Sequence, residues 1–327
     1  MPKPAYFLIA VSNRENLNLC VKYGLAGFPS SGGGAWTFCE IQEGDFVSFL
    51  YGARAHNLYQ AVQREAIRDA KHLPPWKNLT SKISGRTFFF PFRVQLKPIR
   101  IFDEPVVRAE FSYVAQNLLL RGGYRKTHFQ ADQTTLQNVS QMGVLADGSV
   151  EQLSLPDHLS FNPSFTRNPR LVGIPETCRF DERVLQTAIR RHLLDNANLA
   201  ELLEHLNLRT LQADAVEVLG EKALPQGYID ILLKERVPLG AAPKVPMEVK
   251  LGRAQLKDVL QLRDYMDELM GECLCGVLVA AEFGKKAAPL AIESGIKLVR
   301  YALRADLKET ASFDDIWQGL TLEVFKK

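Results

Sequence analysis

The feature that most constrains this 327-residue chain is a pair of apolar segments that each carry charge in the middle. Gly227-Tyr-Ile-Asp230-Ile-Leu-Leu233 is apolar around one aspartate, and Val245-Pro-Met-Glu248-Val-Lys250 sets a glutamate and a lysine among apolar residues. Short runs of this kind read as buried strands. Side chains alternate between faces along a strand, so Glu248 and Lys250 share a face, and Asp230 points away from Ile229 and Ile231. If the two strands pair, an Asp, a Glu and a Lys meet at one spot. Two carboxylates in close register repel unless a cation lies between them. Hard oxygen ligands select Mg²⁺ or Mn²⁺. A lysine beside that ion can orient and deprotonate an attacking water, or steady a charged transition state.

The flanking pattern supports a mixed α/β unit. Residues 180–194 are amphipathic, with Val184, Leu185, Ala188, Ile189 and Leu193 in one stripe and Asp181 as N-cap. A shorter helix is expected over 199–206. Strands follow over 215–219, 228–234 and 245–250. Then come a helix over 254–270, a strand over 274–281, a short helix over 289–294 and a strand over 297–302. Gln261 and Tyr265 are four apart, so they lie on one helix face toward the strands. Glu182 falls on the stripe of Leu185 and Ile189. A carboxylate there is a poor core residue, which makes it a candidate extra ligand or ligand orienter.

The first half reads as mostly strand, over 6–11, 46–51, 58–62 and 87–96. Gly32-Gly-Gly34 reads as a break in the chain, and Pro91 as an edge or bulge. Such a pattern suggests a small barrel or an open curled sheet. Pro156, Pro163, Pro169, Gly173 and Pro175 then punctuate a stretch with little periodicity. The expectation is a two-domain α/β chain: 1–150, a linker over 151–175, and 176–327. The charge is divided: residues 1–150 carry a formal +6 and 151–327 a formal −3. Between Lys77 and Arg100 there are six basic residues and no acid. A polyanion could use that stretch.

Several chemistries are disfavoured. The five cysteines do not form a disulfide framework, and Cys273-x-Cys275 has no second Cys/His pair nearby, so free thiols are expected. The six histidines lack metal-ligand spacing. There is no Gly-x-Ser-x-Gly elbow, and the glycines at 32–34 lead into Ala-Trp rather than the Lys-Ser/Thr of a phosphate loop. No apolar run is long enough to span a bilayer and no signal peptide is evident, so the cytosol is the expected location.

Taken together, Gly227-x-Ile-Asp230, Glu248-x-Lys250 and Gln261-x-x-x-Tyr265 resemble the PD-(D/E)XK nuclease superfamily. The likeness extends over about 176–305, and is strongest to the C-terminal domains of archaeal and actinobacterial mismatch and single-strand endonucleases. It implies a restriction-endonuclease-like fold in which Asp230 and Glu248 hold Mg²⁺ or Mn²⁺ and Lys250 serves the water. Gln261, Tyr265 and Glu182 would support the site. In the first half, Tyr6-Phe-Leu-Ile, Ser12, Asn16, Trp36, Gly44-Asp45-x-Val-x-Phe49 and Pro75-Trp76 resemble PUA-like domains of the EVE and YTH branches, over about 4–140. That resemblance implies a β-barrel with flanking helices and a pocket for a flipped modified base. Trp36 and Trp76 would be its walls, Ser12 and Asn16 would bond base edges, and Tyr51 would line the floor. Lys77, Lys82, Arg86 and Arg93 would hold flanking phosphates.

The expected function is a modification-dependent DNA endonuclease with a defence role. Cutting both strands with one site per chain calls for a homodimer. Two rivals use the same residues: a repair endonuclease acting on mismatched or branched DNA, and a non-catalytic nucleic-acid reader. RNA also fits a YTH-like pocket.

Overall fold

The computed structural model describes residues 4–81, 84–107, 127–224 and 227–325. In the first half the strands are β1 (Tyr6–Ala10), β2 (Leu25–Phe28), β3 (Phe46–Tyr51), β4 (Arg54–Ala66), β5 (Leu79–Thr80), β6 (Thr87–Phe88), β7 (Phe92–Ile101), β8 (Val106–Val107), β9 (His128–Ala131) and β10 (Val144–Leu145). Eight of them form one sheet in the order β10-β7-β4-β3-β1-β9, with β2 on β7 and β8 on β4. Among the described residues no ladder joins β9 back to β2 or β7, and the part of the sheet they form is curled and open. Its curvature comes from β4, whose register shifts once against β3 and twice against β7. The single strand expected over 87–96 is broken before Phe92. Pro91 has no N–H to offer a ladder, and its carbonyl accepts instead from Ile67 N at 2.9 Å.

Among the described residues three helices flank this sheet: α1 (Arg14–Tyr23), α2 (Gly32–Glu40) and α3 (Gln133–Val139). The glycines at 32–34 open α2 instead of breaking the chain. Ser31 caps that helix by accepting from Gly34 N at 3.1 Å. Gly34 is needed there because a Cβ would lie 1.9 Å from Pro29 O.

The second half is a six-stranded sheet in the order β13-β14-β15-β16-β17-β19. Its strands are β13 (Val216–Leu224), β14 (Gly227–Glu235), β15 (Lys244–Ala254), β16 (Val277–Phe283), β17 (Lys297–Leu303) and β19 (Leu320–Val324). β13, β14 and β15 are antiparallel, while β15, β16 and β17 run parallel. One face packs Val245, Val249 and Val277 against Leu185 and Ile189 of α4 (Glu182–Leu193) and against α5 (Asn196–His205). The other packs Leu278 and Ala280 against α6 (Leu256–Leu269) and α7 (Ala287–Glu293).

The stretch expected as a linker carries structure. β11 (Ser164–Thr166) lies between β12 (Thr177–Arg179) and β18 (Ala311–Ser312), just before α8 (Phe313–Gln318), and Phe165 is fully buried. The two halves share one continuous core that runs from Phe7, Phe49 and Phe92 to Leu185, Val218 and Val249. All five cysteines are free. No helix among the described residues is long and apolar enough to cross a membrane.

Candidate active site

The β14–β15 ladder runs from Lys234↔Lys244 to Ile231↔Met247 and then ends. One residue further, Asp230 Oδ2 accepts from Val249 N at 2.8 Å, so a carboxylate occupies the place of a strand carbonyl. On the other flank β15 pairs with β16, setting Glu248 beside Leu278 and Lys250 beside Ala280. Lys250 Nζ stands 2.9 Å from Glu248 Oε1 and 3.3 Å from Glu182 Oε1. The second oxygen of Glu182 accepts from Leu251 N at 3.0 Å.

Glu182 reaches this spot because it opens α4, not because it lies on the buried stripe. Asp181 caps the helix through Val184 N at 3.2 Å, and the Glu182 side chain is 38 % exposed. From the opposite side α6 supplies Gln261, whose Nε2 donates to Tyr265 Oη at 2.9 Å. Tyr265 is buried against the start of β14, where a Cβ on Gly227 would come within 2.5 Å of its hydroxyl. The glycine of the Gly-x-Ile-Asp string is therefore required by a close approach, not by its backbone angle.

The structure brings all six sequence-predicted residues of the second half to one cavity of about 690 Å³. Arg183, Gln186, Glu221, Lys257 and Asp264 also line it, and sequence reasoning missed them. Lys257, Gln261 and Asp264 follow helical spacing on α6, a signal that could have been read. Glu221 could not have been found before the strand register was known.

Electrostatics set this cavity apart. Burial pushes the Asp230 carboxyl well above its ordinary range, and the nearby Glu248 adds to the effect against Val249 N–H and Lys250. Burial also raises Glu248; Lys250 opposes this, Glu182 and Asp258 reinforce it, and the result is about 6. For Lys250, burial favours loss of the proton, but Glu248, Asp230 and Glu182 outweigh it and keep the ammonium charged. Glu248 is 1 % exposed, and neither of its oxygens receives a well-directed hydrogen bond, although Lys250 Nζ lies close to one. A buried carboxylate left this way is costly on its own and suits a cation. Among the described residues no three His, Cys, Asp or Glu side chains gather tightly enough to cage a metal by themselves. Two carboxylates suit Mg²⁺ or Mn²⁺, ions that keep water and take substrate phosphate as further ligands.

The first half departs from the expected base pocket. Trp36 lies within α2, 5 % exposed, and its Nε1 donates to Thr187 Oγ1 of α4 at 2.8 Å. It is a contact between the two halves. Trp76 is 7 % exposed, lies over Gly27, and packs beside Phe90 with ring centroids 5.4 Å apart. A Cβ on Gly27 would meet the Trp76 ring at 2.3 Å. Neither tryptophan walls an open cage; both fill the interior.

Arg93 is likewise buried, 5.6 Å from the Trp76 ring, and desolvation pulls its pKa down to about 10, so it does not face a phosphate backbone. Ser12 and Asn16 are neighbours at the start of α1, where Asn16 Nδ2 donates to Ser12 Oγ at 3.3 Å. Tyr51 is partly exposed at the end of β3. Lys77 is exposed and pairs with Glu15 at 3.1 Å, and Arg86 is exposed in the turn before β6. Lys82 lies outside the described residues.

The family "Endonuclease NucS C-terminal domain" matches residues 196–315. A search of curated proteins found no match. Among solved structures, an EndoMS complex with double-stranded DNA shares 27 % identity over 31 % of this chain and 42 % of its own, with a TM-score of 0.23. A repair endonuclease from Pyrococcus abyssi shares 24 % identity over 31 % of this chain and 44 % of its own, also at 0.23. The Mmi1 YTH domain shares 15 % identity over 42 % of this chain and 92 % of its own, at 0.28. The chain thus spans less than half the length of the two endonuclease structures.

Proposed function

We propose that this chain is a divalent-cation-dependent endonuclease that hydrolyses DNA at the cavity around Asp230 and Glu248. The observation that carries the reading is Glu248, a buried and poorly satisfied carboxylate beside Asp230 and Lys250. The match of residues 196–315 to a nuclease domain family supports it. Asp230 and Glu248 would hold Mg²⁺ or Mn²⁺. Such an ion polarises a phosphate and acidifies bound water. Lys250, 2.9 Å from Glu248 and 3.3 Å from Glu182, is placed to serve the attacking water or to donate to charge building on phosphate oxygens. Glu182 fixes that ammonium and the Leu251 amide together.

One such site per chain cuts one strand, so cleavage of a duplex requires two chains on the DNA. Flipping of a modified base into the first half, as a restriction role demands, would need a pocket other than one walled by Trp36 and Trp76. A repair role on mismatched or branched DNA needs no such pocket. The deciding assay incubates the protein and Mg²⁺ or Mn²⁺ with matched DNAs that are unmodified, base-modified, mismatched or branched. Cation-dependent cutting is expected to fall by about 10²-fold or more in Lys250→Ala and Asp230→Ala, with DNA binding retained. Cutting of modified DNA alone assigns the restriction role, and cutting of mismatches or branches assigns repair. Cleavage that persists in both variants refutes the site.

A further inference from the structure

Glu221 carries a backbone φ of +48° in the interior of β13. Non-glycine residues rarely adopt this conformation, which is strained and tends to persist at functional sites where surrounding structure enforces it. The enforcing contacts are visible. Gly220↔Ile231 and Lys222↔Ile229 pair on either side, so Glu221 stands opposite Asp230 at the position the β13–β14 ladder skips. Gly220 is pinned from the first half of the chain: its N–H donates to Gln130 Oε1 at 2.7 Å, and Arg190 Nη1 donates to the same oxygen at 2.6 Å. Gln130 Nε2 in turn donates to Val218 O at 3.3 Å. Glu221 lines the same cavity as Asp230, Glu248 and Lys250.

We propose that Glu221 is the outer carboxylate of the cation site, holding a water in the shell of an ion bound by Asp230 and Glu248. The inference rests on the nuclease reading above and adds a residue to it. An ion that keeps several waters needs acceptors at that radius. A water between Glu221 and the ion also accords with the looseness of the carboxylate set, since no three acids close in as direct ligands among the described residues. Groups at this remove contribute roughly 10–100-fold to metal affinity.

The test is a Mn²⁺ titration of the full chain, with free Mn²⁺ read by electron paramagnetic resonance and folding followed by thermal melts in EDTA. Glu221→Gln and Glu221→Gly are each expected to weaken Mn²⁺ binding about 10-fold. Glycine adopts φ > 0 freely, so Glu221→Gly removes the carboxylate without demanding a strained backbone, and its melt reports that it folds. A backbone role alone predicts the contrary, namely Glu221→Gly with wild-type affinity. That result, or unchanged affinity in Glu221→Gln, overturns the proposal and leaves the nuclease reading intact. A wild-type chain that binds no Mn²⁺, or an Asp230→Asn variant that binds it normally, overturns the cation site itself.

Discussion

Replacing Glu248 by glutamine should stabilise the cation-free protein while abolishing cleavage. Glu248 is buried, and its pKa rises from 4.5 to about 6, because burial together with Glu182 and Asp258 outweighs Lys250. A carboxyl with a raised folded pKa binds its proton more tightly in the folded chain. Its contribution to stability is therefore present below about pH 4.5 and lost as the pH rises through about 6. At ~1.4 kcal/mol per pKa unit, the ionised form costs about 2 kcal/mol above pH 7. Glutamine keeps the shape without the charge. If the two halves melt together, an unfolding entropy of roughly 2 cal/mol/K per residue turns this into a rise of about 3 °C. The assay is calorimetry in EDTA at pH 8 and pH 5. The variant should melt higher at pH 8, and the gap should narrow to less than half at pH 5 as the wild type takes up its proton. Adding Mn²⁺ at about 100 times its dissociation constant should stabilise only the wild type, by about 2.7 kcal/mol. A variant less stable at pH 8, or a gap that ignores pH, would refute the argument that Glu248 is strained by its own charge.

Three further outcomes follow from the geometry. Gly227→Ala drives a Cβ to within 2.5 Å of the Tyr265 hydroxyl. It should cost about 1–3 kcal/mol in urea titrations and slow cleavage, with Tyr265→Phe restoring part of both. Trp36→Phe loses the hydrogen bond to Thr187 and should lower stability by about 1–2 kcal/mol without altering discrimination among DNAs. Lost discrimination at full stability would return Trp36 to a recognition role. Asp132 is raised by burial, but Lys234 and Thr135 pull it down more strongly, to about 2. Its depressed pKa contributes stability above about pH 3.8 that disappears as the pH falls through about 2. Asp132→Asn should therefore cost about 2 kcal/mol at pH 7, by chemical denaturation, and progressively less in acid.

The candidate constellation was legible because it rests on local rules. Strand alternation and helical spacing place Glu248, Lys250, Gln261 and Tyr265 without knowledge of the rest of the chain. Asp181 announced the start of α4, and its capping bond is present. The first half was read less well because its signals are tertiary. A run of three glycines looks like a break until Ser31 caps it and Ala35, Trp36 and Phe38 are buried. Arg93 looks like a surface cation in a segment without acids, yet its guanidinium is sealed beside Trp76, so the basic stretch from Lys77 to Arg100 overstates the charge offered to a polyanion. Glu221 shows the same limit from the other side. Its position beside Asp230 is fixed by register, and its backbone by Gln130, some 90 residues away.

The seam between the halves explains why the first half bears on the site at all. Arg190 of α4 is buried in an ion pair with Glu40 of α2, Thr187 bonds the same carboxylate, and Arg190 also reaches Gln130. Lys234 joins Asp132 across the same boundary at 2.8 Å, and its cross-strand neighbour Glu217 at 3.1 Å. Buried ion pairs add little net stability against apolar packing, but breaking one partner leaves an uncompensated charge. They therefore penalise other docking arrangements more than they strengthen this one. The helix locked by Arg190 and Thr187 is the one whose first residue, Glu182, grips Lys250. A shift of α4 against the first half would move that grip. The first half thus packs against the helix that positions Glu182 at the candidate site.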